Sequence, residues 1–381
     1  MQKATGIRVL VATHYFATNG YGIEILAARI NELLRARGFR IRWIAATARN
    51  RVTQSFPSGE NEIGIPSWDF IRAATDLAWP LFAPWWLPRI VREVRLADVV
   101  HIHEGFYPLN QAVLWIARLF GRPVVITQHI ADMPIAGVLR GNAVRLANLV
   151  MTRPAFALAD RIVYYSRRTQ AHFARFSRGK DAFVANGCDG ELFRPAGQGE
   201  AVALRRELAL SPDCMLALFV GRFIEKKGLH LLRALAIAHP DVYFVFVGQG
   251  PLDPRGWDLP NVVVRAPVTQ RELCRFYQTS DVLVLPAVGE GLPLVVQEAC
   301  CCGVPPIVSE EILDACPELA PFAYDAGEAG RHLSTAFAGF LARPEGREQA
   351  RARAELARSL WSWERCGDAY AEILRSVVPR T

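Results

Sequence analysis

Short apolar runs alternate with amphipathic stretches along this chain, and the alternation runs through twice. Residues 7–13 (IRVLVAT) read as a strand, residues 23–37 carry apolar side chains at helical spacing, and residues 41–46 (IRWIAA) read as the next strand. A wholly apolar run suits a strand covered on both faces, which is how parallel strands joined by helices are buried. Strand-like runs at 98–102, 124–127 and 162–166, with helix-like stretches at 110–120 and 139–159, extend the pattern into a doubly wound parallel sheet. Between 184 and 199 the sequence VANGCDGELFRPAGQG concentrates Asn-Gly, Pro and Gly, the turn chemistry expected where two compact units meet. The alternation then restarts, with strands at 215–220, 243–248, 261–265 and 281–286 and helices at 230–238, 270–279 and 293–302.

The expectation is an α/β protein of two Rossmann-like doubly wound domains facing across a cleft, residues 1–190 and 191–362. The stretch 331–378 reads as helical throughout, with its last helix, about 363–381, crossing back to the first domain. Ligands of such sheets bind at the carboxyl ends of the strands, so function is expected there.

The chain has 381 residues, 44 Lys+Arg and 37 Asp+Glu, and its halves differ. Residues 1–190 hold 24 basic against 13 acidic side chains, while 191–381 hold 20 against 24. With only four lysines and no run of five like charges, a nucleic-acid arm is disfavoured; a basic face toward phosphate or anionic lipid suits the first half. Eight cysteines without a C-x-x-C pair, three of them consecutive at Cys300, Cys301 and Cys302, match neither a disulfide framework nor a zinc site; the triplet reads as core filling. The start MQKATG lacks a signal-peptide core, and no run of about 18 apolar residues occurs. A cytoplasmic protein is expected, peripheral on the inner face of the membrane at most.

The segment PAVGEGLPLVVQEA (286–299) combines a strand end, a glycine loop and a helix opened near Pro293. Free N–H groups at a helix start favour phosphate, and Glu290 and Glu298 flank that start with acceptors for hydroxyls. Alone, such a pair reads more simply as a charged turn and a solvated helix acid. The segment VGRFIEKKG (220–228) adds Arg222 after a strand and Lys227 five residues on, two cations for a diphosphate. No G-x-x-x-x-G-K-[ST] occurs, so this is not a P-loop.

Nine segments, in order, carry a resemblance: THYFATNGYGIE (13–24), ADVVHIH (97–103), VVITQHI (124–130), ADRIVYYS (159–166), ANGCDGELFRP (185–195), LFVGRFIEKKG (218–228), VFVGQGPLD (245–253), SDVLVLPAVGEGLPLVVQEA (280–299) and SLWSWERCGDAY (359–370). The chain resembles family 4 of the retaining, nucleotide-sugar-dependent glycosyltransferases, of two-domain GT-B architecture. The resemblance implies that Glu290 touches the donor sugar, that Glu298 holds the nucleotide ribose, and that Arg222 and Lys227 bind the pyrophosphate. It implies that the amides of Gly291 and Leu292 face sugar and phosphate, that His129 sits by the reacting sugar, and that Gly20 and Gly22 let the backbone approach the diphosphate. The first domain would receive the acceptor, and no cofactor beyond the nucleoside diphosphate-sugar substrate is implied; the basic first half and the tryptophan-rich run at 77–88 favour a saccharide or lipid-linked saccharide as that acceptor.

Some features depart from that pattern or stay open. Tyr21 interrupts the usual Gly-Gly turn, Ala266 replaces a glycine, and EEILDACP (310–317) replaces a glycine-rich loop, which leaves donor base and sugar undetermined. His101 and His103 alternate on one strand face and could chelate a metal, but no third ligand at matching spacing completes a site, and no D-x-D occurs. Residues 77–88 (LAWPLFAPWWLP, Leu77 to Pro88) hold three Trp and three Pro ahead of Arg89, Arg92 and Arg95. That composition suits either packing under a loop or a lipid-headgroup contact. The reading is a metal-independent transferase moving a sugar from a nucleoside diphosphate to an acceptor hydroxyl. Its rivals are a nucleotide-sugar epimerase or hydrolase of the same fold, a metal-dependent hydrolase built on His101 and His103, and a non-catalytic nucleotide-sugar binding module.

Overall fold

The computed structural model describes residues 6–17, 22–48, 61–70, 79–129, 138–197, 199–207, 214–290, 292–343 and 346–379. The chain divides into two compact units, one of Met1–Tyr165, Thr169–Ala185 and Glu364–Thr381, the other of Ser166–Arg168 and Asn186–Trp363.

The first unit is built from β1 (Arg8–Thr13), α1 (Gly22–Ala36), β2 (Arg40–Ala48), β3 (Glu62–Trp68), β4 (Leu81–Phe82), α2 (Leu87–Leu96), β5 (Val99–His103), α3 (Pro108–Leu119), β6 (Val124–Gln128), α4 (Val138–Leu158), β7 (Arg161–Tyr164), α5 (Arg167–Ser177) and β8 (Asp181–Phe183). Its eight strands lie in the order β4-β3-β2-β1-β5-β6-β7-β8, parallel except where β4 meets β3. β5 and β6 are buried at every position, so they carry no polar alternation. Pro88 and Pro108 fall in the first turns of α2 and α3, where the missing N–H costs no helical hydrogen bond. β3 carries Gly64 and Pro66, a pattern that reads as a breaker; it pairs along its length with β2, while β4 reaches only Ser67 and Trp68 and leaves Pro66 unpaired on that side.

The second unit contains α6 (Glu200–Glu207), β9 (Met215–Val220), α7 (Leu229–Ala238), β10 (Val242–Val247), β11 (Val262–Arg265), α8 (Gln270–Thr279), β12 (Val282–Leu285), α9 (Leu294–Cys301), β13 (Pro306–Val308), α10 (Glu310–Ala315), β14 (Tyr324–Asp325), α11 (Leu333–Ala342) and α12 (Arg347–Leu360). Six strands form a parallel sheet in the order β11-β10-β9-β12-β13-β14. The strand order reverses between β9 and β12, and in the first sheet between β1 and β5. Those are the switch points at which ligands of doubly wound sheets bind. Cys300, Cys301 and Cys302 are buried at the end of α9.

The stretch 331–378, expected to be helical throughout with a separate last helix, forms three helices, α11, α12 and α13 (Trp363–Val377). α13 packs in the first unit, where Asp368 accepts from Arg37 Nε at 2.7 Å and the Tyr370 hydroxyl meets Thr127 Oγ1 at 3.2 Å.

Two glycines in the second unit are fixed by close approach. A Cβ on Gly228, which sits at φ 72°, would lie 2.7 Å from the Pro286 carbonyl oxygen, and one on Gly250 would lie 2.5 Å from that of Phe223. The 248–252 loop is bonded to the segment bearing Arg222, with Phe223 N–H donating to Gln249 O (2.9 Å) and Leu252 N–H to Phe223 O (3.0 Å). Gly250→Ala is therefore expected to cost about 2 kcal/mol or more, because backbone rather than a flexible side chain must move. Denaturant unfolding measures it, and an unchanged midpoint would show that the loop yields freely.

Candidate functional site

In the second unit the loops leaving β9 and β12 are stitched together at the switch point. Val288 N–H donates to Lys226 O at 2.8 Å, and Gly228 takes the left-handed conformation that ends the turn Glu225–Lys227 and opens α7. The result places both neighbouring ammonium groups on one carboxylate oxygen: Lys226 Nζ is 3.0 Å and Lys227 Nζ 3.1 Å from Glu290 Oε1. The cluster is largely closed to water, with side-chain exposures of 11% for Lys227 and 19% for Glu290. Burial alone would raise the Glu290 carboxyl, yet Lys227 and Lys226 together hold it below the ordinary carboxylate range. Lys227 is depressed by burial despite its partner. Arg222, exposed at the end of β9, adds to the field at Lys227. Two lysines against one glutamate leave an excess of positive charge beside the start of α9, whose N-cap Pro293 supplies no side-chain bond to the first turn. That combination suits an anion. Leu292 is buried next to this helix start, and Gly291 lies outside the described residues.

Glu298, within α9, is 8% exposed and its Oε2 accepts from the Tyr277 hydroxyl of α8 at 2.8 Å. Burial pushes its carboxyl up to about 7, with the Tyr277 bond opposing. A raised native pKa means that the folded chain holds a proton the unfolded chain has lost, so this group's stabilising contribution is complete below about 4.5 and disappears as pH rises through 7. Glu298→Gln, which keeps an acceptor for Tyr277, should flatten that part of the profile, making the variant relatively more stable than the parent at pH 8 than at pH 5. Paired thermal unfolding at the two pH values checks it; parallel curves would refute the buried-proton account.

In the first unit, β5 and β6 bring three histidines together. His101 Nε2 meets Thr127 Oγ1 at 2.8 Å and His103 Nδ1 meets His129 Nε2 at 3.1 Å. All three are buried, and desolvation holds His101 and His129 down at about 3 and pushes His103 well below its ordinary value, so they are neutral at pH 7. The His101–His103 pair is thus engaged in hydrogen bonds within the sheet, and among the described residues no group of three His, Cys, Asp or Glu could hold a metal. Glu104 follows β5 at φ 73°; its carboxylate accepts the His129 backbone N–H at 3.1 Å and the Gln128 side-chain amide. Tyr165 donates to the His129 carbonyl at 2.8 Å. His14, at the end of β1, lies 3.0 Å from the fully buried Glu24 of α1 and stacks on Tyr107 at 3.9 Å. Gly22 opens α1 with open space where a Cβ would stand; Gly20 lies outside the described residues. Sequence reasoning singled out neither Lys226, which shares Glu290, nor Tyr277. Both are fixed by spatial neighbours that spacing does not show.

The tryptophan-rich run is only partly outward. Trp79 stacks on Phe106 at 5.3 Å and Trp86 packs against the core, whereas Trp85 is 70% exposed beside Trp68; Leu77 lies outside the described residues. No described helix is long and apolar enough to cross a membrane.

Comparison with known proteins bears on the whole chain. The D-inositol 3-phosphate glycosyltransferase of Segniliparus rotundus is 28% identical over 307 residues, covering 74% of this chain and 66% of that protein. The enzyme of the same name from Streptomyces bingchenggensis is 30% identical over 239 residues, covering 56% and 51%. This chain therefore spans between half and two thirds of the length of the curated relatives it matches. Among solved structures, sucrose-phosphate synthase from Thermosynechococcus elongatus shares the fold at TM-score 0.74 and 20% identity, over 97% of this chain and 98% of that one. Anabaena HepE in complex with UDP does so at 0.73 and 16%, over 97% and 100%. Residues 21–192 match the model "Glycosyltransferase Family 4" and residues 215–336 the model "Glycosyl transferases group 1". Matched in both of its units, the chain belongs to the family 4 glycosyltransferases, of GT-B fold.

Proposed function

We propose that this chain transfers a sugar from a nucleoside diphosphate-sugar to an acceptor hydroxyl, with retention of configuration and without a metal. The observation that carries the reading is the Lys226–Glu290–Lys227 cluster beside the uncapped start of α9. As the bond from the anomeric carbon to the diphosphate breaks, the electron pair leaves on the diphosphate. Arg222, Lys227 and the helix start stabilise that charge. Glu290 then orients the donor sugar and Glu298 the ribose, with the amides of Gly291 and Leu292 toward sugar and phosphate. Gly20 and Gly22 give the diphosphate backbone access, and His129 addresses the reacting sugar. A uridine nucleotide is the first donor to try, because the structural neighbour HepE was solved with UDP and UDP-glucose. A saccharide, lipid-linked or at the cell surface, is the favoured acceptor, reached at a membrane through the stretch from Leu77 to Pro88; the names of the sequence relatives add inositol phosphate as a soluble candidate.

A thermal-shift screen across UDP, GDP, ADP and their sugars, followed by product analysis with each acceptor, tests the reading. A shift of several degrees with one nucleotide and a product of unchanged anomeric configuration are expected. Rapid acceptor-independent turnover would favour an epimerase or hydrolase, and no response to any nucleotide would end the donor assignment.

A further inference from the structure

One face of the first unit is basic and apolar at once. Arg153, Arg175 and Arg178 of this unit are all exposed, and the only acid in the sequence from 133 to 180 is Asp160. Within that stretch α4 turns Leu146, Leu149 and Val150 outward, at 61%, 39% and 60% exposure, with Arg153 next along the same helical row. Thr152, Ala155 and Phe156 cover the core on the opposite face. An outward apolar row is unexpected on a helix that already buries another face.

The row borders a groove of about 490 Å³ between α4 and the end of α5, lined by Leu149, Val150, Arg153, Arg175, Phe176 and Arg178 among others, with no acid among its described lining residues. The Phe176 ring holds two of these cations close together: the guanidinium carbon of Arg153 is 4.3 Å and that of Arg175 4.6 Å from its centroid. Among the described residues no carboxylate lining the groove neutralises either charge, whereas Arg118 is paired with Asp160 at 2.9 Å.

From this juxtaposition we infer that the α4–α5 face docks on an anionic phospholipid bilayer. Headgroup phosphates would occupy the Arg153–Arg175–Arg178 groove, and Leu146, Leu149 and Val150 would enter the acyl boundary. Charge complementarity selects the occupant: arginines without acids attract an anionic leaflet, and aliphatic side chains at the same level add burial that a soluble anion would not use. The inference rests on the first unit alone and does not depend on the donor chemistry. It also differs from a contact through Trp85, which lies on the β4–α2 connection.

Co-sedimentation of the full chain with phosphatidylcholine vesicles, with and without equimolar phosphatidylglycerol, decides the matter. Binding is expected only to the mixed vesicles and should weaken with salt. Arg153→Gln combined with Arg175→Gln should reduce it about 30-fold, taking about 1 kcal/mol per arginine at an anionic surface. Leu146→Ser with Val150→Ser should reduce it at high salt as well. All these side chains are exposed, so the unfolding temperature and nucleotide response should persist. Absence of binding, equal binding to both vesicle types, or loss only in Trp85→Ala would overturn the inference. So would dimerisation without vesicles that the same α4 substitutions abolish, which would give the face to a second copy of the chain. A null nucleotide screen with intact vesicle binding would sink the donor reading alone.

Discussion

Lys227→Met is expected to lower kcat/KM about 10²- to 10³-fold, while Lys226→Met lowers it about 10-fold. Both ammonium groups lie within 3.1 Å of the same Glu290 oxygen, so a bare count of charges predicts equal effects. Their surroundings separate them. Lys227 has 11% of its side chain exposed and Lys226 34%, and charge held in a water-poor site acts on a developing anion far more strongly than charge screened by solvent. Methionine keeps the apolar stem of either lysine, and each variant leaves the other ammonium on Glu290, so the fold should survive. The loss should fall mainly on kcat, since the extra negative charge on the diphosphate exists only as the sugar departs. Steady-state kinetics with the nucleotide-sugar identified by thermal shift measures this. Equal losses in the two variants, or a loss confined to KM, would mean that Lys227 merely binds the ground state.

That contrast was not legible in the sequence. The spacing of Arg222 and Lys227 pointed to cations after a strand, but the partner that Lys227 shares with Lys226 follows from the left-handed Gly228, which lets the β9 loop press on Pro286. The long parallel strands were legible because burial on both faces leaves an unbroken apolar run, as in VVHIH of β5. β3 was not, because Gly64 and Pro66 mimic a turn and only the open side of Pro66 makes the strand tolerable. β4 and β14, two residues each, are too short for any periodicity to register. In the sequence Glu104 is simply the residue that follows His103. Its role depends on a left-handed backbone at a non-glycine residue, which turns its carboxylate onto the His129 amide and Gln128.

The neighbours of His129 also decide which proton it carries, and from that follows the second large effect. His103 Nδ1 and His129 Nε2 are 3.1 Å apart and both rings are neutral, so one of these nitrogens holds the hydrogen. His103 Nε2 is buried with no hydrogen-bond partner among the described residues. A stranded N–H there would cost more than a stranded lone pair. His103 therefore carries its proton on Nδ1 and donates it to His129 Nε2, which leaves His129 protonated on Nδ1 and able to donate to a sugar oxygen. His103 is then a positioning residue. His129→Ala should lower kcat about 10²-fold, as removal of a donor to the reacting group does. His103→Leu should lower it about 10-fold, near the value of one neutral hydrogen bond, with KM little changed. Because His129 stays neutral down to about 3, neither the parent nor His103→Leu should show a rate inflection from this residue near pH 6.5. Nitrogen-15 spectra of the histidine-labelled protein, assigned by the loss of one signal in His129→Ala, should show a single Nδ1–H tautomer at His129 and a mixture in His103→Leu. An Nε2–H form in the parent would falsify the donor role, and an unaltered tautomer in His103→Leu would reduce His103 to a packing residue.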